Sequence, residues 1–302
     1  MIELVKMKLK HMVYNKGGLY LKIKVLGTAA ATSMPLGFCN CDICKRARQN
    51  VGKDIRKRSS IIINDEMLID LGPDSINACN MYGIDTSKIK YLVQTHSHPD
   101  HFDGGHFVTR WSEYATKNLN HLDIYCSNGT AIDMNHWIKE NEPLLDLFEE
   151  ECKKDLKYEL HIIKHGDIAK FNDYEIVAID SKHDERVESL MYIISYKRKN
   201  LLYGIDLLEI TEYAWKIIQN YKLDIVFLDQ TYGEDCNNGG HLDERKIKNI
   251  IEYMNEHSIT SQDSQIYATH ISHEGNNIHE IMEEKAKLSG YCIAYDGMEI
   301  II

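Results

Sequence analysis

The chain has 302 residues, 43% of them hydrophobic and 27% charged, which is enough for a substantial core in one large domain or two ordinary ones. Its formal net charge of −11 and the lack of a long basic run argue against nucleic-acid and anionic-membrane partners, because phosphate backbones are held chiefly by lysine and arginine. Met1 to Lys10 has no uninterrupted apolar core of the secretory kind, and no apolar run approaches the about 20 residues of a membrane helix, so a reducing cytoplasm is the expected compartment.

Residues 1–18 read as an N-terminal extension, with Gly17-Gly18 a joint before the single domain expected over 19–302. Tyr20 to Leu26 alternates as a strand and ends at Gly27 in a small-residue loop. Three of the eight cysteines, Cys39, Cys41 and Cys44, then fall close together as metal ligands would, and the remainder (Cys79, Cys126, Cys152, Cys236, Cys292) are scattered and read as small apolar residues. The locally basic stretch Arg46 to Arg58 could seat a small phosphate, and reads more simply as a solvated face. Ser60–Ile63 and Met67–Asp70 flank Asn64-Asp65-Glu66, a hairpin signal, and Asp74 to Tyr82 reads as a helix closed by Gly83.

Lys90 to Gln94, a short buried strand, runs into Thr95-His96-Ser97-His98-Pro99-Asp100-His101. On an extended segment side chains alternate, so His96 and His98 project together and can bind one metal ion. Asp100 and His101 turn the corner and can face a second. Imidazoles with a hard carboxylate suit zinc, and to a lesser extent manganese or iron.

Beyond this motif, the segment from about Ala131 to Lys157 is helical in composition, acidic and broken by Pro143. Strands follow at 159–164, 174–180, 190–196 and 200–205, then a helix at about 208–220 and a strand from Asp224 to Leu228. A helix at 243–257 carries Ile247, Ile250, Ile251 and Met254 on one stripe. A strand at 265–269, a helix at 277–288 and two terminal strands around Asp296-Gly297 complete the chain. No internal repeat is visible in the residues. Hairpinned strands between helices fit a layered α/β architecture with mixed sheets. Three further chemistry-bearing residues, His183, Asp206 and His270, each stand just after a strand end.

The order His-x-His-x-Asp-His, then His183, then Asp206 after Tyr203-Gly204, then Thr269-His270 resembles the metallo-β-lactamase superfamily. The resemblance implies a four-layer αβ/βα sandwich. It places His96, His98 and His183 on one metal and Asp100, His101 and His270 on the other, with Asp206 bridging. Asp70 would orient ligands from behind. Cys39-Asn40-Cys41-Asp42-Ile43-Cys44, Thr269-His270-Ile271-Ser272-His273 and Tyr295-Asp296-Gly297-Met298-Glu299-Ile300 are similar to a narrower group, the phosphodiesterases of the carbon–phosphorus lyase pathway (PhnP-like proteins). There the implied structural zinc is held by Cys39, Cys41, Cys44 and His273, a closed tetrahedral set. Gly240-His241-Leu242-Asp243 after Asp229-Gln230-Thr231-Tyr232 matches that group's extra histidine.

What the resemblance implies is a phosphodiesterase with two divalent ions, zinc or manganese, and a separate structural zinc. Its substrates would be small cyclic ribose phosphates, of the phosphoribosyl cyclic phosphate or 2′,3′-cyclic nucleotide type, and its pathway phosphonate metabolism. His241 as proton donor and the ligand Asp100 are the candidate catalytic groups. The alternatives are a tRNA 3′-end endonuclease, disfavoured by the acidic 140–151 region, and a non-catalytic ligand-binding protein, disfavoured by the full ligand set. Lactam hydrolysis ranks low. A homodimer stays open.

Overall fold

The computed structural model describes residues 20–234, 236 and 240–302, so the expected extension over 1–18 lies outside the described residues. The first sheet is built from β1 (Lys22–Gly27), β2 (Ser60–Ile63), β3 (Met67–Ile69), β4 (Tyr91–Val93), β5 (Leu122–Cys126) and β6 (Tyr158–Ile162). The second holds β7 (Ile168–Phe171), β8 (Tyr174–Asp180), β9 (Leu190–Tyr196), β10 (Lys199–Gly204), β11 (Ile225–Asp229), β12 (Gln265–Thr269) and β13 (Cys292–Ile293). The last strand, β14 (Glu299–Ile301), returns to the first sheet beside β1, giving the orders β14-β1-β2-β3-β4-β5-β6 and β13-β12-β11-β10-β9-β8-β7.

Helices α1 (Asp42–Asn50), α2 (Ser75–Met81), α3 (Gly104–Val108), α4 (Asn128–Asn141), α5 (Glu150–Leu156), α6 (Glu212–Ile218), α7 (Glu244–Glu256) and α8 (His279–Leu288) cover the outer faces. Three apolar clusters fill the three gaps between four layers. Ile23, Ile61, Ile63 and Val93 meet Ile176, Tyr192, Leu201 and Phe227 between the sheets. Ile62, Leu92 and Ile124 pack under Phe107, Met134 and Leu156 outside the first sheet. Val177, Leu202 and Val226 pack under Ala47, Ala214, Ile247 and Met282 outside the second. The run Ile61-Ile62-Ile63 shows why β2 reads as unbroken apolar sequence: successive side chains enter different gaps, and both faces are covered. This is the expected αβ/βα sandwich.

Strand topology reveals a repeat that the residue sequence does not announce. In each sheet three antiparallel pairings are followed by three parallel ones, so β3 and β4 correspond to β10 and β11. At those corresponding ends stand Ile69-Asp70-Leu71 with Gln94-Thr95, and Ile205-Asp206-Leu207 with Gln230-Thr231, the aspartate 24 positions ahead of the glutamine in both halves. The expectation of no internal repeat is therefore corrected. Only a handful of identical residues survive, which is too few to notice without the register.

Three elements were not foreseen. Helix α1 buries only Cys44 and Ala47, small residues that make no visible apolar stripe. Strand β5 carries an internal aspartate, and β7 is a half-exposed edge strand. The basic stretch is also not uniformly solvated. Arg56 is 2% exposed and donates to Thr28 Oγ1, the Ala294 carbonyl and His279 Nδ1. Lys57 and Arg58 pair with Asp296 and Asp74.

Candidate metal centres

Every residue in the first motif owes its position to the loop after β4, and Gln94 folds that loop. Its side-chain amide donates to the carbonyls of His96 at 2.9 Å and His101 at 2.8 Å, closing the motif on itself. Backbone amides of His101 and Phe102 both donate to the His98 carbonyl, making the turn that brings the His101 ring to 4.3 Å from that of His96. Gly72 lets this loop lie close to the end of β3: a Cβ there would stand 2.3 Å from the Asp100 carbonyl oxygen.

Strand ends deliver the remaining groups, and Asp70, Asp206 and His270 all sit in the left-handed backbone region with φ of 65°, 50° and 57°. Non-glycine residues seldom adopt that conformation, and it recurs at functional corners. His96, His98, His183 and Asp206 gather as one group, and Asp100, His101, Asp206 and His270 as a second, with ligand atoms in each within 4.8 Å of one another. Asp206 belongs to both: its Oδ2 lies 3.2 Å from His96 Nε2 and 2.8 Å from His101 Nε2. All seven residues singled out in the sequence are therefore brought together.

Hydrogen bonds behind the rings decide which nitrogen faces inward. Thr95 Oγ1 donates to Asp70 and lies 3.0 Å from His96 Nδ1. Thr231 Oγ1 donates to the His270 carbonyl and lies 2.7 Å from His270 Nδ1. Asp70 accepts from His101 Nδ1 at 2.8 Å. With Nδ1–H donated outward in each case, Nε2 presents its lone pair to the centre, the orientation metal ligands need. His101 Nε2, His270 Nε2 and Asp206 Oδ1 are buried with no hydrogen-bond partner despite close neighbours, so the donor set fits a pair of divalent ions.

His241 borders the same site. Its Nδ1 is 3.0 Å from the buried Asp229 Oδ2 and 3.3 Å from Asp206 Oδ1. Burial lowers its pKa, and the Asp229 carboxylate more than offsets this, leaving it above the ordinary histidine value. Asp229, Thr231, Gln94 and Thr95 were not assigned roles from sequence, and the repeated Gln-Thr pair is the signal that could have found them. Five of the seven candidate ligands (His98, Asp100, His183, Asp206 and His270) and His241 line a cavity of about 280 Å³.

Cys39, Cys41, Cys44 and His273 form a separate group, with His273 Nδ1 3.7 Å from Cys39 Sγ and 3.4 Å from Cys41 Sγ. Cys41 also caps α1, accepting from the Cys44 amide. His273 and that amide lower the Cys41 thiol to about 6, so a thiolate is available to a cation. Among the other cysteines Cys79, Cys126 and Cys152 are buried, while Cys236 and Cys292 are half-exposed. His279, to which sequence reading gave no role, is the buried acceptor for Arg56.

The model of the "Beta-lactamase superfamily domain" family matches residues 66–271. Among solved structures, a diphosphatase of the PhnP family superposes with a TM-score of 0.72 at 20% identity, covering 94% of this chain and 98% of that one. Zn(2+)-bound PqqB from Methylobacterium extorquens gives 0.69 at 16% identity, covering 92% and 99%. The short form of human tRNase Z gives 0.61 at 15%, covering 92% and 98%. No curated protein sequence matches. The family match spans both ligand groups and the strands that carry them, and the chain belongs to the metallo-β-lactamase superfamily.

Proposed function

We propose that the chain is a hydrolase of small cyclic ribose phosphate diesters that works with two divalent ions, zinc or manganese. The observation that carries the reading is Asp206 standing in both ligand groups, with His241 poised beside it on Asp229. His96, His98 and His183 would hold one ion, Asp100, His101 and His270 the other, with Asp206 between them. Ions bound there supply Lewis acidity, lowering the pKa of a water and neutralising charge on the phosphoryl oxygens.

The chain's own groups supply orientation and a proton. Asp70, Thr95 and Thr231 hold three ligand rings from behind. In the hydrolysis a water oxygen bonds to phosphorus while the bond from phosphorus to one ribose oxygen breaks, and that leaving oxygen needs a proton. His241, anchored through Nδ1 on Asp229, offers Nε2 to it. The cysteines and His273 would hold a structural zinc that fixes α1 and the 270–274 turn. Likeness to a diphosphatase structure supports chemistry at phosphorus, and the acidic chain favours a small substrate over RNA.

The test is a substrate panel with the metal-loaded protein. Bis(p-nitrophenyl) phosphate and a 2′,3′-cyclic nucleotide should be hydrolysed, and a simple phosphomonoester should not. Tight tRNA binding at physiological salt, with cleavage after the discriminator nucleotide, would replace this reading by the endonuclease.

A further inference from the structure

His241 reaches the metal centre from the segment that leads into α7, so its backbone has to be held there by something besides the ring. Asp243 caps that helix, its side chain accepting from the Lys246 amide at 2.8 Å. Lys246 thus stands in the first turn, and side chains on a helix lean back toward its N-terminus. The Lys246 ammonium reaches past the cap, donating to the His241 carbonyl at 3.0 Å and to the Leu208 carbonyl at 3.3 Å. Leu208 follows Asp206 by two residues, and its own amide donates to the Lys182 carbonyl, next to His183. One half-buried ammonium therefore ties the His241 backbone to the loop that carries Asp206.

The placement works against the helix itself. The N-terminal end of a helix carries partial positive charge, so a cation in the first turn opposes the dipole that Asp243 and Glu244 complement. A residue that breaks a local rule points to a constraint set elsewhere in the fold. Here that constraint is at His241. Its ring is anchored through Nδ1 on Asp229, which leaves the reach of Nε2 to be set by where the backbone sits. Misplacing a reacting group by about 1 Å can cost on the order of a hundred-fold in rate. We infer that Lys246 is a positioning residue for the reaction: its ammonium fixes the His241 backbone against the 206–208 loop, and so sets the distance from Nε2 to the leaving oxygen. This rests on the hydrolase reading above and on His241 as its proton donor.

The experiment compares Lys246→Met with the parent, both metal-loaded, on adenosine 2′,3′-cyclic phosphate and on bis(p-nitrophenyl) phosphate. The substitution keeps an apolar stem and removes the donor. It should lower kcat on the cyclic nucleotide by about ten-fold or more with KM moved little, and by less than about three-fold on the p-nitrophenyl ester. In a His241→Ala background it should cost less than about two-fold further on the cyclic nucleotide, because the two residues act as a unit. Metal content should match the parent's. Lys246→Gln, neutral and shorter, carries the same comparison if the methionine variant does not fold. Equal losses on both substrates would make Lys246 a brace for α7 only, and a full additional loss in the His241→Ala background would sever it from the donor. Either result overturns the inference and leaves the hydrolase reading intact. If the parent turns over neither diester, the hydrolase reading fails, and hydrogen exchange still tests the clamp: amides over 240–246 should exchange faster in the variant, and unchanged exchange overturns it.

Discussion

Asp206 and His241 stand 3.3 Å apart, yet their replacements should fail in different ways. Asp206→Asn removes a carboxylate shared by both ligand groups, so metal content should fall and activity should drop on the order of a hundred-fold or more on any diester. His241→Ala should keep its metal content. On bis(p-nitrophenyl) phosphate, whose leaving group needs little protonation, it should retain much of the parental rate. With a ribose oxygen leaving, it should lose on the order of a hundred-fold. Equal losses on both substrates, or loss of metal from the His241 variant, would make that histidine a ligand or positioning group. Asp206, Asp229, His241 and His270 also fall within 4.8 Å as a group, so the metal measurement is needed to separate these roles.

At the scale of elements, two features tie the loops to the sheets. Cys41 is at once a candidate zinc ligand and the cap of α1, so Cys41→Ser should lower Tm by on the order of 5 °C. It should also speed proteolysis within 37–50. Equal protease resistance with unchanged zinc content would remove the structural-zinc assignment. Gly72 marks the contact between the β3 end and the first motif. Gly72→Ala must push the Asp100 backbone aside, destabilising the protein by about 1–3 kcal/mol and cutting activity at least ten-fold. Gly37→Ala, with open space around its added methyl, is the matched control and should change neither quantity.

Over the whole molecule, Arg56 knots distant parts of the chain, reaching Thr28, Ala294 and His279 at once. Burial, then the Arg56 and Lys53 charges, lower His279 from 6.5 to about 4, against the weaker pull of Glu283 and Asp54. The folded-state pKa thus lies below the unfolded one. The unfolded chain takes up a proton as pH falls through 6.5 while the folded chain does not, so stability should be lost between pH 6.5 and 4 and change no further from this group below that. His279→Gln preserves an acceptor for Arg56 and removes the titration. Its Tm should therefore fall less than the parent's over that window, and parallel curves would assign the acid sensitivity elsewhere. Subtracting the two proteins also cancels any acid loss of metal common to both. In the described residues no helix is long and apolar enough to cross a membrane.

The sequence by itself singled out seven chemistry-bearing residues at or just after strand ends and three clustered cysteines, and the fold brings each set together. It also determined most elements, since strands buried on both faces and striped helices such as α7 leave strong apolar patterns. What tertiary structure alone decided lies where local pattern is weak. Helix α1 is held by a cysteine cap and two small residues, and β7 has only a sheet edge. Arg56 looked solvated because a buried cation is recognisable only by its partners, which come from 28, 279 and 294. The internal repeat needed strand register before Asp70 and Asp206 could be compared. The same register explains their divergence. Asp70 spends its oxygens on Thr95, Gln94 and His101, whereas Asp206 keeps Oδ1 unbonded at the centre, and that distinction depends on what each carboxylate touches across the fold.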